Sequence, residues 1–155
     1  PEHPTNAIYA LLKHSDFYKV AVQHCPWDPR FDNAPFGEMY NGTVDKAVMS
    51  KACYPEDFVE SFNGKLLLIV GMTSTLSTAP TFRLVEAMQK ANKDFDMLCM
   101  PNMNHEMTDY TIRREWDYLV RNLQGVEPPQ GFQLERFSSG NEINTDHLME
   151  LVDYT

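Results

Sequence analysis

The densest apolar run in the chain, Lys65-Leu66-Leu67-Leu68-Ile69-Val70, follows Asn63-Gly64 and stops at Gly71. A short run of this kind between turn residues predicts a strand buried on both faces. Past a polar turn, residues 80–92 space their apolar side chains at helical period. Residues 95–100 then form a second apolar run that breaks at Pro101. Strand, helix and strand in this order predict a βαβ unit whose two strands end on the same side. In such sheets reactive groups gather just beyond the carboxyl ends of the strands. Those ends carry residues 71–78 and 102–107, so the pattern places any chemistry in these two loops.

The flanking chain extends the same pattern. Residues 5–13 carry Ala7, Ile8, Ala10, Leu11 and Leu12 at helical spacing, and residues 17–23 alternate Tyr18, Val20 and Val22 as a strand would. Cys25-Pro26-Trp27-Asp28-Pro29-Arg30 follows as a strand-end loop, because its two prolines forbid regular structure. A short helix or turn is expected over 34–41, and short helices over 44–52 and 55–62. Residues 110–122 predict a helix that buries Ile112, Trp116, Leu119 and Val120 and turns Arg113, Arg114, Glu115 and Asp117 outward. Gly125 and Pro128-Pro129 close it. The pattern dissolves beyond that point, which divides the chain into a packed unit over 1–128 and an extended tail over 129–155. The tail holds one apolar stripe (Leu148, Met149, Leu151, Val152) that predicts a short helix over 146–152. The fold class is therefore α/β with a parallel sheet. Three parallel strands leave two bare edges, and the expectation is that further domain structure or a second chain covers one of them.

Composition narrows the partners. The 155 residues are 43% hydrophobic and 12% aromatic, as expected of one folded domain. A net charge of -9 argues against a nucleic-acid or anionic-membrane partner, which would need a basic patch. No apolar run approaches the roughly 18 residues of a membrane span, and no signal-peptide pattern is visible from Pro1 onward. Cys25, Cys53 and Cys99 are odd in number and lack a Cys-x-x-Cys pair, so free buried thiols are expected. His24 beside Cys25 lacks a third ligand at useful spacing for a metal. No glycine pattern cradles a phosphate, so no cofactor is implied. The methionines around the opening stretch (Met72, Met88, Met97, Met100, Met103, Met107) read as core filling. Asp45, Glu56, Asp57 and Glu60 read as a solvated acidic face.

Several stretches, in order, resemble one family. They are residues 9–22 (YALLKHSDFYKVAV), 37–42 (GEMYNG), 64–71 (GKLLLIVG), Arg83-Leu84-Val85 with Ala87, 91–96 (ANKDFD), 101–105 (PNMNH), 113–117 (RREWD) and 125–129 (GVEPP). Together they are similar to the last part of the catalytic domain of prolyl oligopeptidase-type serine peptidases, nearest the dipeptidyl peptidase IV branch. The resemblance runs from about residue 7 to residue 134. It implies a partial α/β-hydrolase: the last strands and helices of a parallel sheet in a three-layer sandwich.

The family's chemistry uses a serine nucleophile on a tight elbow, a histidine base and an aspartate that orients the histidine. The resemblance puts His105 at the histidine position, with Glu106 where the family has glycine. It puts Ser74 at the aspartate position, in a turn without a carboxylate. It puts Pro1 at the serine position, in Pro1-Glu2-His3-Pro4, which offers neither the hydroxyl nor the glycines an elbow needs. Trp27, Asp28 and Arg30 fall where the family places substrate-contacting side chains. A base without its nucleophile and carboxylate implies a non-catalytic relative or fragment that works by binding a peptide or by assembly. Two alternatives stay open: a peptide or ester hydrolase using His105 with Cys25 or a partner-supplied nucleophile, and a scaffold subunit that pairs through its sheet edge. The expected partners are the rest of a hydrolase domain or a second chain, a second copy included.

Overall fold

The computed structural model describes residues 6–26, 54–75 and 78–134. The short helix or turn expected over 34–41, and the short helices over 44–52 and 146–152, lie outside these residues.

Three parallel strands in the order β1-β2-β3 form the sheet. They are β1 (Val20–His24), β2 (Lys65–Gly71) and β3 (Asp96–Met100). Val20 pairs with Lys65 and His24 with Ile69 in one ladder, and Leu67 with Asp96 and Gly71 with Met100 in the other. The central position of β2 explains its sequence. A strand flanked on both sides and covered on both faces tolerates apolar residues at every position, and Leu66 through Gly71 are all buried.

Alternation along β2 sends its side chains into two cores. Leu66 and Leu68 join Ile8, Leu11 and Leu12 of α1 (Asn6–Lys13) and Leu84 and Met88 of α2 (Ala79–Lys90). Val59 and Phe62, from the 3-10 helix Pro55–Ser61 and its C-cap, complete that layer. On the opposite face Leu67 and Ile69 meet Met103 and Tyr118, the latter from α3 (Asp109–Leu119). Helices on both faces of one sheet make the three-layer sandwich. Truncating any of the fully buried leucines would cost about 2–5 kcal/mol.

Local chemistry fixes the element ends. Asn92 takes a left-handed φ of 52° and lets the Lys93 N–H reach back to the Met88 carbonyl at 2.9 Å, which closes α2. Ser61 Oγ donates to the Leu12 carbonyl at 2.8 Å and accordingly ties the 3-10 helix to α1. After α3 a π-helical turn, Val120–Gln124, ends at Gly125, whose φ of 68° only glycine adopts without strain.

Four expectations are corrected. β1 starts at Val20, and Phe17 and Tyr18 lie exposed ahead of it. Trp116 is 53% exposed, because α3 turns Thr111, Ile112 and Tyr118 toward the sheet instead. Cys99 is exposed on β3 and Cys25 half-buried, so neither is the fully buried thiol expected; Cys53 lies outside the described residues. The methionines divide: Met88 and Met103 are buried, whereas Met72 and Met107 are exposed.

Candidate functional site

The carboxyl ends of all three strands lie along one edge of the parallel sheet, and the loops that leave β2 and β3 meet there. After β2 the chain turns through Met72, Thr73, Ser74 and Thr75. After β3 it runs through Pro101 to Thr108 and enters α3. Main-chain bonds sew these loops together: Met72 N–H to the Met100 carbonyl at 2.9 Å, and Thr73 N–H to the Met103 carbonyl at 3.2 Å. The approach is so close that a Cβ on Gly71 would overlap the Met103 and Asn104 carbonyl oxygens. Glycine at this strand end is what admits the second loop. Met103 anchors that loop from below, its side chain 5% exposed among Leu67, Ile69 and Tyr118.

With Met103 turned into the core, His105 two residues on stands exposed at the loop surface beside exposed Glu106. Its Nδ1 lies 2.9 Å from Asn104 Oδ1. The same oxygen accepts the Thr75 main-chain N–H at 2.8 Å and lies 3.3 Å from Thr75 Oγ1. The ring is thus tied, through one amide, to the loop after β2. Asn104 is the residue that sequence reasoning missed. It belongs to the PNMNH stretch, but a neighbour at i-1 carries no spacing signal of its own. Ser74 occupies the turn after β2, its N–H bonded to the Gly71 carbonyl at 3.3 Å. Trp27, Asp28, Arg30 and Pro1 lie outside the described residues.

A second titratable pair sits at the end of β1. His24 Nε2 is 4.0 Å from Glu115 Oε2 on α3, and neither ring nitrogen of His24 has a hydrogen-bond partner among the described residues. Burial lowers the His24 pKa and raises that of Glu115. An ion pair would drive both shifts the other way, so burial outweighs the attraction between the two groups. The next residue, Cys25, holds a φ of 33°, outside the regions a side chain favours. Among the described residues no three His, Cys, Asp or Glu side chains cluster to hold a metal ion. No helix there is long and apolar enough to cross a membrane.

Three parallel strands with helices on both faces and their connecting loops along one edge make an α/β fold. Residues 5–126 match the family model described as the prolyl oligopeptidase family, and the chain belongs to that family. A Bacteroides ovatus ATCC 8483 protein assigned provisionally as a dipeptidyl aminopeptidase IV superposes with a TM-score of 0.65 at 20% identity, over 77% of this chain and 17% of its own. Porphyromonas gingivalis dipeptidyl peptidase 4 gives 0.62 at 21% identity, over 74% and 18%. Pyrococcus horikoshii acylaminoacyl peptidase gives 0.59 at 14% identity, over 81% and 23%. At these identities the likeness speaks for the fold. The chain spans less than a quarter of the length of each of these structures. No curated protein sequence matches it.

Proposed function

We propose that this hydrolase relative works by binding a peptide or by assembly, and that hydrolysis is not its activity as written. The observation behind the reading is the turn after β2. Gly71-Met72-Thr73-Ser74-Thr75 holds no carboxylate, and the acceptor at His105 Nδ1 is the neutral Asn104 amide. A neutral acceptor orients an imidazole but cannot stabilise the imidazolium that forms when the base takes a proton. Loss of that carboxylate from a triad costs about four powers of ten in turnover. With proline at the position the family gives its nucleophile, the chain keeps the frame of a peptidase cleft with one of its three reactive groups. His105 would then contact a bound peptide, as would Trp27, Asp28 and Arg30, which resemble the family's substrate-contacting positions. Assembly would use a sheet edge, with a second copy as the partner.

The test is to incubate the chain with a chromogenic Xaa-Pro substrate and, separately, with a serine-directed fluorophosphonate. The expected result is no turnover above background and no label in the intact mass. Turnover, or a label on any residue, would overturn the non-catalytic reading. It would favour a hydrolase that pairs His105 with a different nucleophile.

A further inference from the structure

A neutral imidazole carries its proton on one nitrogen and offers a lone pair on the other, so the tautomer decides which face of the ring accepts a hydrogen bond. A free imidazole favours the Nε2–H form. At His105 the surroundings favour the opposite form, and the atom that decides it is on Asn104. The Thr75 main-chain N–H can only donate, and it points at the Asn104 amide from 2.8 Å. That atom is therefore the oxygen, because a flipped amide would set N–H₂ against N–H. The oxygen also lies 2.9 Å from His105 Nδ1. Two acceptors at that distance repel, so Nδ1 carries the proton. The bonds at 2.8 Å and 2.9 Å use both carbonyl lone pairs and leave the Thr75 hydroxyl, at 3.3 Å, as a marginal third contact.

We propose that Asn104, pinned by the Thr75 N–H, is a positioning residue that holds His105 in the Nδ1–H tautomer and so leaves Nε2 as the site's free acceptor. The frame that pins it is already built. Gly71 lets the loop after β3 close on β2, and buried Met103 fixes the residue just before Asn104. The arrangement does for ring orientation what the family's carboxylate does, without the charge, and from the residue adjacent to the histidine instead of the loop after β2. The use of Nε2 rests on the functional reading above; the tautomer does not.

The test is a long-range proton–nitrogen correlation on the full ¹⁵N-labelled chain near about pH 8, above the ordinary histidine range, with His105→Gln assigning the signals. The expected spectrum shows a protonated, pyrrole-type Nδ1 and a pyridine-type Nε2 for His105. Asn104→Leu should return the ring to the Nε2–H form, and Asn104→Asp, which keeps the oxygen, should retain Nδ1–H. Should Asn104→Leu fail to fold by circular dichroism, the wild type and Asn104→Asp still decide the matter. A wild-type ring in the Nε2–H form, or a folded Asn104→Leu chain with an unchanged tautomer, would overturn the proposal. An Nδ1–H ring in a chain that reacts with fluorophosphonate would retain this inference and overturn the functional reading alone.

Discussion

His24 stands at the carboxyl end of β1 with both ring nitrogens buried and no hydrogen bond to either among the described residues. Burial holds its pKa below the ordinary 6.5, so the folded chain binds fewer protons here than the unfolded chain does as pH falls past that value. Stability contributed by this site is complete above 6.5 and is lost as pH drops through 6.5 toward the folded pKa. Glu115 works in the other direction. Its pKa is raised above 4.5 by burial, so stability at that site is lost as pH climbs from 4.5 through the folded value. The expected result is a urea midpoint that falls between about pH 7.5 and about pH 5.5, with His24→Phe flattening the slope. An unchanged slope in His24→Phe would show that the proton uptake lies elsewhere. Single residues of the site were only partly legible in the sequence. His105 drew attention only through the order of several matching stretches, since spacing alone gives a loop histidine no role. Its partner could not be placed, because the search for one followed the family spacing to Ser74 while the imidazole is bonded to its own neighbour, Asn104. Glu115 read as an outward charge because a lone carboxylate on a helix says nothing about which side faces a buried ring.

Elements show the same division for a different reason. β2 and α2 were legible because an apolar run bounded by glycines, and a periodic stretch opened by Pro80, have one good solution each. α3 offered two. Ile112, Trp116, Leu119 and Val120 form the apolar stripe read from the sequence; Thr111, Ile112 and Tyr118 form a second face, shifted around the helix. The second faces the sheet because Tyr118 can both pack on Leu67 and Ile69 and donate its hydroxyl to Asp96 at 2.9 Å, satisfying a polar tip that would otherwise be buried alone. The start of α3 is set by a reciprocal cap. Thr111 N–H donates to Thr108 Oγ1 at 3.2 Å, and Thr108 N–H donates to Thr111 Oγ1 at 2.9 Å. This cap fixes where the loop carrying His105 ends. Thr108→Ala should therefore cost about 1 kcal/mol, and Thr108→Ser much less, both read from urea denaturation. Equal losses in the two variants would mean that the hydroxyl is not the group that matters.

At the scale of the molecule, the described sheet is open at both β1 and β3, and the assembly proposed above would have a definite geometry at the β3 edge. Met72 N–H donates to the Met100 carbonyl, which turns the main chain of Met100 toward β2. Main-chain groups alternate sides along a strand, so those of Met97 and Cys99 point outward. Two copies pairing antiparallel about Leu98 would set Met97 of one against Cys99 of the other and Asp96 against Met100. No carboxylate would then face a carboxylate, despite the net charge of -9. Such a pair would remove an open edge that proteins otherwise have to protect. Light scattering on the chain should accordingly give about twice the 17.9 kDa chain mass at high concentration, falling toward the monomer on dilution. Cys99→Pro deletes an outward donor at an edge position where proline is tolerated, and should give the monomer throughout. A wild-type chain that stays monomeric at every concentration would remove the edge from the functional reading and leave peptide binding as its content.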